Sequence, residues 1–140
     1  MIGLLDNKMI REENIVPIEK HLVKNPWDLD VFKCAYEVSL EIHKTSLTFP
    51  KIEQYAVADQ LRRASKSICA NVSEGFIRQK YSKTEFARFV AIAESSACEV
   101  RIWLRYALDL QYVSQQQFSA WDEAYERITA MLAKLKTKLG

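Results

Sequence analysis

The sequence predicts an all-α fold, an antiparallel up-down-up-down four-helix bundle. Three observations lead to this prediction. Apolar residues recur at spacings of three and four rather than two, which is the period of a helix with one buried face. Only three Gly and three Pro occur in 140 residues. Four such periodic segments are joined by connections of roughly four to nine residues, which are typical of antiparallel neighbours in a bundle.

The length of 140 residues corresponds to one domain. Residues 1–26 lack sustained periodicity, so we predict an irregular N-terminal leader there and the four-helix bundle over 27–140. No apolar run approaches the ~20 residues that span a bilayer, and the first residues carry acids where a signal peptide carries bases. A cytoplasmic protein without membrane contact is therefore expected. The cysteines Cys34, Cys69 and Cys98 lie far apart with no CxxC pair, which predicts buried, reduced thiols.

The first two helices are predicted at 29–48 and 53–78. Pro26 disfavours helix before it, and Asp28 or Asp30 can cap the helix that follows. Pro50 ends the first helix. The inward-facing residues of these two helices are Val31, Cys34, Ala35, Val38, Ile42, Val57, Leu61, Ala64, Ile68 and Val72.

The last two helices are predicted at 83–110 and 115–138, each after a capping box: Ser82 with Glu85, and Ser114 with Gln117. Their inward-facing residues alternate four and three apart and are Phe86, Val90, Ala93, Ala97, Val100, Leu104 and Ala107, then Phe118, Trp121, Tyr125, Ile128, Leu132, Leu135 and Leu139. Further apolar residues beside these seams indicate a surface that another subunit covers, and the alternative is a generously packed monomer. These residues are Phe89, Ile92, Trp103, Ala120, Ala124 and Met131.

Residue patterns of the common catalytic classes are missing from the sequence. His21 and His43 are the only histidines, and no Glu is followed three places later by His, as a di-iron bundle requires. Glu94 and Glu99 are five apart on one helix, so their carboxylates diverge. Gly75 stands alone, and there is no Gly-rich phosphate loop. We therefore expect a non-enzymatic protein without catalytic residues, metal or cofactor.

Basic residues concentrate in the second helix and the turn after it. Residues 51–88 carry eight bases and four acids, although the whole chain has a net charge of only +2. The candidate nucleic-acid-binding residues are Arg62, Arg63, Lys66, Arg78, Lys80 and Lys83. They could neutralise phosphates of RNA or DNA, and Tyr81 between them could stack on a base. The alternatives are a solvated helix face or ion pairs between subunits.

Two stretches, "QLRRASKSICANVSEGFIR" and "KTEFARFVAIAESSACEV", resemble the four-helix-bundle family of proteins encoded in intervening sequences of 23S ribosomal RNA genes. The resemblance runs from about Trp27 to Leu135. It includes "ALDLQYVS", where Gln111 replaces the Gly that is usual in the family's turn. The matching structural positions include Ala70, Asn71, Glu74, Gly75 and Phe76.

The resemblance marks this segment as one continuous helix. Small residues within it are expected to let a neighbouring helix approach closely, and these are Ala64, Ser65, Cys69, Ala70 and Gly75. Asn71 and Glu74 are expected to form hydrogen bonds that fix the backbone or the neighbouring helix.

The resemblance also implies a homo-oligomer, a pentameric ring, and names no catalytic residue. A related branch, the accessory variability determinant of diversity-generating retroelements, docks on a reverse transcriptase and binds nucleic acid. Two functions follow as hypotheses. The first is a scaffold or binding module for RNA or other nucleic acid. The second is an accessory subunit that docks on a protein partner, with the basic residues serving subunit assembly.

Overall fold

The computed structural model describes residues 23–140, and within them the chain forms four long helices and no strand. The helices are α1 (Asp30–Ser46), α2 (Val57–Arg78), α3 (Lys83–Asp109) and α4 (Gln115–Leu139). Short 3-10 turns, Pro26–Asp28 and Lys51–Glu53, precede α1 and α2. The predicted all-α bundle is confirmed. The predicted irregular leader falls almost entirely on residues outside the described range.

The start of α2 differs from the predicted helix 53–78 by four residues. The chain after Pro50 first forms the 3-10 turn, and α2 begins only at Val57. The side chain of Gln54 explains the delay, because its amide Nε2 donates to the carbonyls of Ser46 (2.9 Å) and Phe49 (3.0 Å). These bonds tie the segment to the end of α1 instead of letting it continue α2 backwards.

Helices α1, α2 and α3 run antiparallel in succession, since Arg62 of α2 bonds to Ser46 at the end of α1 and Cys69, farther along α2, bonds to Phe32 near the start of α1. The Ser67 hydroxyl of α2 lies 2.8 Å from that of Ser96 on α3. Gly75, farther along α2, lies against Phe86, nearer the start of α3. Helix α1 packs on α2 and α4, and α3 packs on the same two helices. Helices α1 and α3 therefore occupy opposite corners of the bundle and run in the same direction.

The core follows the predicted seams. Every predicted inward residue of α1, α2 and α3 is buried, and so are those of α4 as far as Leu132. Leu135 and Leu139 are only partly buried and pack against the edge of the core. Tyr125 is the largest fully buried side chain. Burying each Leu, Ile, Val or Phe side chain contributes about 1.5–3 kcal/mol, so the seam is the main source of stability.

Both hydrogen bonds of the predicted capping box form at the start of α4, but only one of the two forms at the start of α3. Gln117 N–H donates to Ser114 Oγ and Ser114 N–H donates to the Gln117 side chain, both at 3.0 Å. At α3 only the Glu85 N–H to Ser82 Oγ bond forms, at 3.2 Å. The Glu85 carboxylate instead pairs with Arg88 at 2.9 Å and with Arg78 at 3.7 Å, which turns it away from the Ser82 amide.

The end of α3 shows why a glycine suits the position of Gln111. This residue has a φ of 66°, the one positive φ of a non-glycine residue within 23–140. Its N–H donates to the carbonyl of Leu108 (2.9 Å), and the N–H of Tyr112 donates to that of Ala107 (2.8 Å). This pair of bonds is a Schellman motif, in which the left-handed residue is usually Gly.

We expect Gln111→Gly to stabilise the protein by about 1 kcal/mol, because glycine adopts positive φ without steric cost. Denaturant unfolding would measure the change. The matched control is Gln116→Gly in the first turn of α4, which should destabilise by up to about 1 kcal/mol since it only removes helix propensity. A lower unfolding midpoint for Gln111→Gly would contradict this account.

Candidate functional site

Arg62 turns its guanidinium inward to brace the connection between α1 and α2. Its Nη1 donates to Ser46 Oγ (2.8 Å) and Gln54 Oε1 (3.2 Å), and its Nη2 donates to the Gln54 carbonyl (2.7 Å). Ser46 Oγ in turn donates to the His43 carbonyl at 2.7 Å. Arg62 thus joins the end of α1, the connection and α2, and its donors are directed into the chain rather than toward a ligand.

Arg63 and Lys66 project outward from α2. The Arg63 side chain is 77% exposed and its Nε donates to Asp59 at 2.9 Å, one turn earlier. Lys66 is exposed, and its Nζ donates to His43 Nδ1 of α1 at 3.0 Å. Partial burial, followed by the charges of Lys66 and Arg62, lowers the pKa of His43. A neutral His43 accepts a hydrogen bond from the charged Lys66 ammonium, so this face carries one ion-paired cation and one hydrogen-bonded cation.

Arg78 joins the end of α2 to the start of α3. It pairs with Glu74 (3.2 Å) on its own helix and with Glu85 (3.7 Å) on α3. Its guanidinium lies 5.3 Å from the centre of the Phe89 ring, and that of Arg88 lies 4.6 Å from the same ring. The hydrogen bond from Arg88 lowers the pKa of Glu85, so this carboxylate stays charged. Acidic side chains of the same chain therefore balance the positive charge of Arg78.

Lys80 and Tyr81 lie in the turn between α2 and α3, Lys83 follows as the first residue of α3, and all three are exposed. The Tyr81 side chain is 87% exposed. Neither lysine forms an ion pair with another residue of the described chain. This turn lies at one end of α2 and Arg63 near the other, and the twelve residues from Lys66 to Arg78 alone span about 18 Å of helix. The six predicted basic residues thus form two separate groups rather than one cluster.

The family motif places Gly75 where α2 and α3 come closest. A Cβ on Gly75 would lie 2.8 Å from both Phe86 Cδ1 and Phe89 Cβ, closer than real contacts allow. The neighbouring Phe76 packs edge-on against Phe86, with ring centres 6.1 Å apart. The two rings and the glycine form the contact that fixes how near the helices lie.

Asn71 provides the polar part of the same contact. Its Nδ2 donates to the carbonyl (2.8 Å) and hydroxyl (3.0 Å) of Ser67, whose hydroxyl meets that of Ser96 on α3. Glu74 is linked to α3 indirectly, because Arg78 pairs both with Glu74 and with Glu85 of α3. Ala70 differs from the expectation of close helix approach, because it is exposed on the outer surface of α2.

The three cysteines differ in their burial. Cys34 is buried, and burial raises the pKa of the Cys69 thiol to about 12. Cys98 is exposed, so the prediction that all three thiols are buried was wrong for this residue, which lies off the α3 seam. Within residues 23–140, no cluster of His, Cys, Asp and Glu side chains is arranged to bind a metal ion. None of the helices in that range combines the length and hydropathy of a membrane span.

Most of the exposed large apolar side chains lie in three groups, to which Trp27, Ile77 and Tyr81 do not belong, and the sequence pattern identified few of these residues. One lies on α1 (Tyr36, Leu40, Leu47), one on the connection (Ile52, Tyr55) and one on α3 (Ile92, Ile102, Tyr106, Leu110). Among the six residues predicted for this role, only Ile92 is exposed; Ala124 is buried, and Phe89, Trp103, Ala120 and Met131 are partly buried. A bulky residue opposite the seam of α1 is the signal that would have identified Tyr36 and Leu40.

We expect Gly75→Ala to destabilise the protein by roughly 1–3 kcal/mol. The added methyl overpacks the α2–α3 contact, and this cost exceeds the ~1 kcal/mol of helix propensity that alanine gains. Ala70→Ser on the outer surface of α2 is the control and should change stability by less than about 0.5 kcal/mol. Thermal unfolding measures both variants, and a more stable Gly75→Ala protein would refute the close contact.

We expect Arg62→Ala to cost about 1–3 kcal/mol of stability, because hydrogen bonds to a charged group are lost and their acceptors are left without partners. Arg63→Ala, one residue away with the same change of charge, should cost less than about 0.5 kcal/mol, as exposed ion pairs do. Limited trypsin digestion gives a second measurement, since cleavage after Lys51 should become faster only in Arg62→Ala. Equal stability of the two variants would show that the brace is not needed.

Comparison with known proteins identifies the family. Residues 27–134 match the sequence model of the 23S rRNA-intervening sequence protein family. A solved structure from Bacteroides thetaiotaomicron, described as a protein of unknown function from the S23 ribosomal protein family, is similar in fold. It has a TM-score of 0.65 and 22% identity, covering 74% of this chain and 95% of that one. No functionally curated protein matches this chain. On the extent of the family match, the chain belongs to the 23S rRNA-intervening sequence protein family.

Proposed function

We propose that the protein is a non-catalytic, homo-oligomeric binding module that holds RNA on basic turns repeated around a ring. The observation that carries the proposal is the turn Lys80–Tyr81–Lys83. It presents two lysines that are not engaged in ion pairs in the described chain, and between them an aromatic ring that is almost fully exposed. Lysines that flank an exposed aromatic ring provide a phosphate contact and a stacking platform for a single-stranded base.

Repetition is essential to this function because one turn binds weakly. Two phosphate contacts provide little affinity at physiological salt, whereas several turns on one assembly act together through a high effective concentration. The family resemblance implies five copies, which would provide ten lysines and five tyrosines. Arg63 and Lys66 supplement the surface, since both point outward. Arg62 and Arg78 have structural roles and are not part of it.

A second candidate function is docking on a protein partner, and the connection between α1 and α2 favours it. Ile52 is 86% exposed and Tyr55 is 95% exposed, yet the segment that carries them is fixed. Hydrogen bonds from Gln54 tie the segment to the end of α1, and those from Arg62 tie it to α2. The Tyr112 hydroxyl also donates to Glu53 at 2.6 Å. Two large apolar side chains on a rigid segment are typical anchors for a partner protein.

Replacement of both turn lysines tests the RNA proposal. We expect Lys80→Ala/Lys83→Ala to weaken binding of a defined RNA hairpin with a single-stranded loop and to flatten the salt dependence of the affinity, because each lost phosphate contact removes about one released counterion. Tyr81→Ala should cost about 1–3 kcal/mol for each stacked base. Fluorescence anisotropy over a salt series measures all of these effects.

The control is Lys51→Ala/Lys134→Ala, which removes the same charge from exposed positions outside the turn. Equal binding by the two double variants would refute the RNA site. If neither the hairpin nor a DNA of the same sequence is bound, docking on a protein becomes the better function. The variant Ile52→Ser/Tyr55→Ser would then be the one to lose its partner.

A further inference from the structure

The outer face of α1 carries an apolar stripe between two lysines. Tyr36 and Leu40 are one turn apart and both exposed. Lys33 precedes them by three residues and Lys44 follows by four, which places all four on one face. The Tyr36 ring stacks on that of Phe32, with centres 6.0 Å apart and an interplanar angle of 12°. The Phe32 ring thus supports the Tyr36 side chain within the stripe.

The outer face of α3 repeats the pattern with the opposite charge. Ile102 and Tyr106 are exposed one turn apart, 57% and 52%. Glu99 precedes them by three residues and Asp109 follows by three. The Trp103 Nε1 donates to Glu99 Oε2 at 3.0 Å, and the Trp103 ring lies 5.5 Å from that of Tyr106. Here too a neighbouring ring supports the tyrosine side chain.

The charged residues on the two faces have matching spacings. Eleven residues separate the lysines, about 16 Å along a helix, and ten separate the acids, about 15 Å. None of Lys33, Lys44 and Asp109 forms an ion pair with another residue of the described chain.

The bundle places the two faces where they cannot meet within one chain. Helices α1 and α3 occupy opposite corners, so their outer faces point in opposite directions. Both helices end at the same end of the bundle, since the Phe49 ring after α1 packs on that of Tyr112 after α3, with centres 5.2 Å apart. Lys44 and Asp109 both lie in the last turn of their helices. Neighbouring copies in a ring are related by rotation without a shift along the ring axis. Lys44 of one copy and Asp109 of the next therefore lie at similar heights along that axis.

We propose that the α1 face of one copy (Lys33, Tyr36, Leu40, Lys44) packs against the α3 face of the next copy (Glu99, Ile102, Tyr106, Asp109). This assignment rests on the proposed self-association and names the surfaces that produce it. Pairing of different faces is heterologous and closes into a ring when the rotation allows. A two-fold contact of either face with itself would set lysine against lysine or acid against acid, which is repulsive.

Complementation between two disabled variants tests the contact. Variant one is Tyr36→Ser/Leu40→Ser and variant two is Ile102→Ser/Tyr106→Ser, both at exposed positions. Each alone should have the mass of a monomer by light scattering. Their equimolar mixture should give a heterodimer and nothing larger, because one intact α1 face meets one intact α3 face and both remaining faces are disabled. Ile52→Ser/Tyr55→Ser is the control and should keep the wild-type mass.

Charge reversal gives a second test that does not alter apolar surface. Lys44→Glu and Asp109→Lys should each lower the assembled fraction at low salt, and the chain that carries both should recover it. Circular dichroism confirms equal helix content in all variants.

A wild-type protein that is monomeric at micromolar concentration would overturn the proposed self-association itself. A wild-type oligomer whose mass survives both face variants would overturn only the assignment of faces. If one face variant is monomeric and the other keeps a dimer, the contact is two-fold and the heterologous pairing is wrong.

Discussion

The close approach of α2 and α3 at Gly75 is the constraint on which the rest of the structure depends. The two helices share the most extensive contact in the bundle, and at Gly75 there is no space for even one methyl group. Phe86 and Phe89 pack over the glycine backbone, and a hydroxyl pair between the helices continues the contact about two turns away. Dense packing of this kind transmits any change in side-chain volume to the helix spacing.

This contact also decides which charges remain available. Phe89 is only partly buried, and Arg78 and Arg88 cover its ring from two sides. Those arginines need acidic partners, and they draw the Glu85 carboxylate away from the capping box that the sequence predicts. The lysines of the turn have no such ring or carboxylate to hold them. The difference between Arg78 and Lys80 is therefore one of packing rather than of charge.

The connection between α1 and α2 shows the same principle at the opposite end of the molecule. It contains no glycine and is held by side chains from three directions: Arg62 on α2, Gln54 within the connection and Tyr112 after α3. A guanidinium provides several donors in a fixed plane, which suits one residue to fastening two helices and the segment between them. No other helix of residues 23–140 covers the outer faces of α1 and α3. Apolar side chains therefore stay exposed on two opposite sides of this bundle.

The sequence by itself determined the four helices of residues 23–140, the seams of the core and the capping residues of α4, because these follow from spacing along the chain. It also identified Gly75 and Asn71 through the family motif, and the left-handed position of Gln111 fits the glycine that the family has there. Only the tertiary structure decided the roles of the basic residues. Arg62 and Arg63 are neighbours in sequence with the same chemistry, yet helix rotation of 100° points one at Ser46 and Gln54 and the other at solvent. The burial of the apolar residues beside the seams was settled in the same way, since Ile92 is exposed whereas Phe89 is partly buried and Ala124 is buried. It depends on which corners of the bundle another helix occupies, and residue spacing within one helix carries no record of its neighbours.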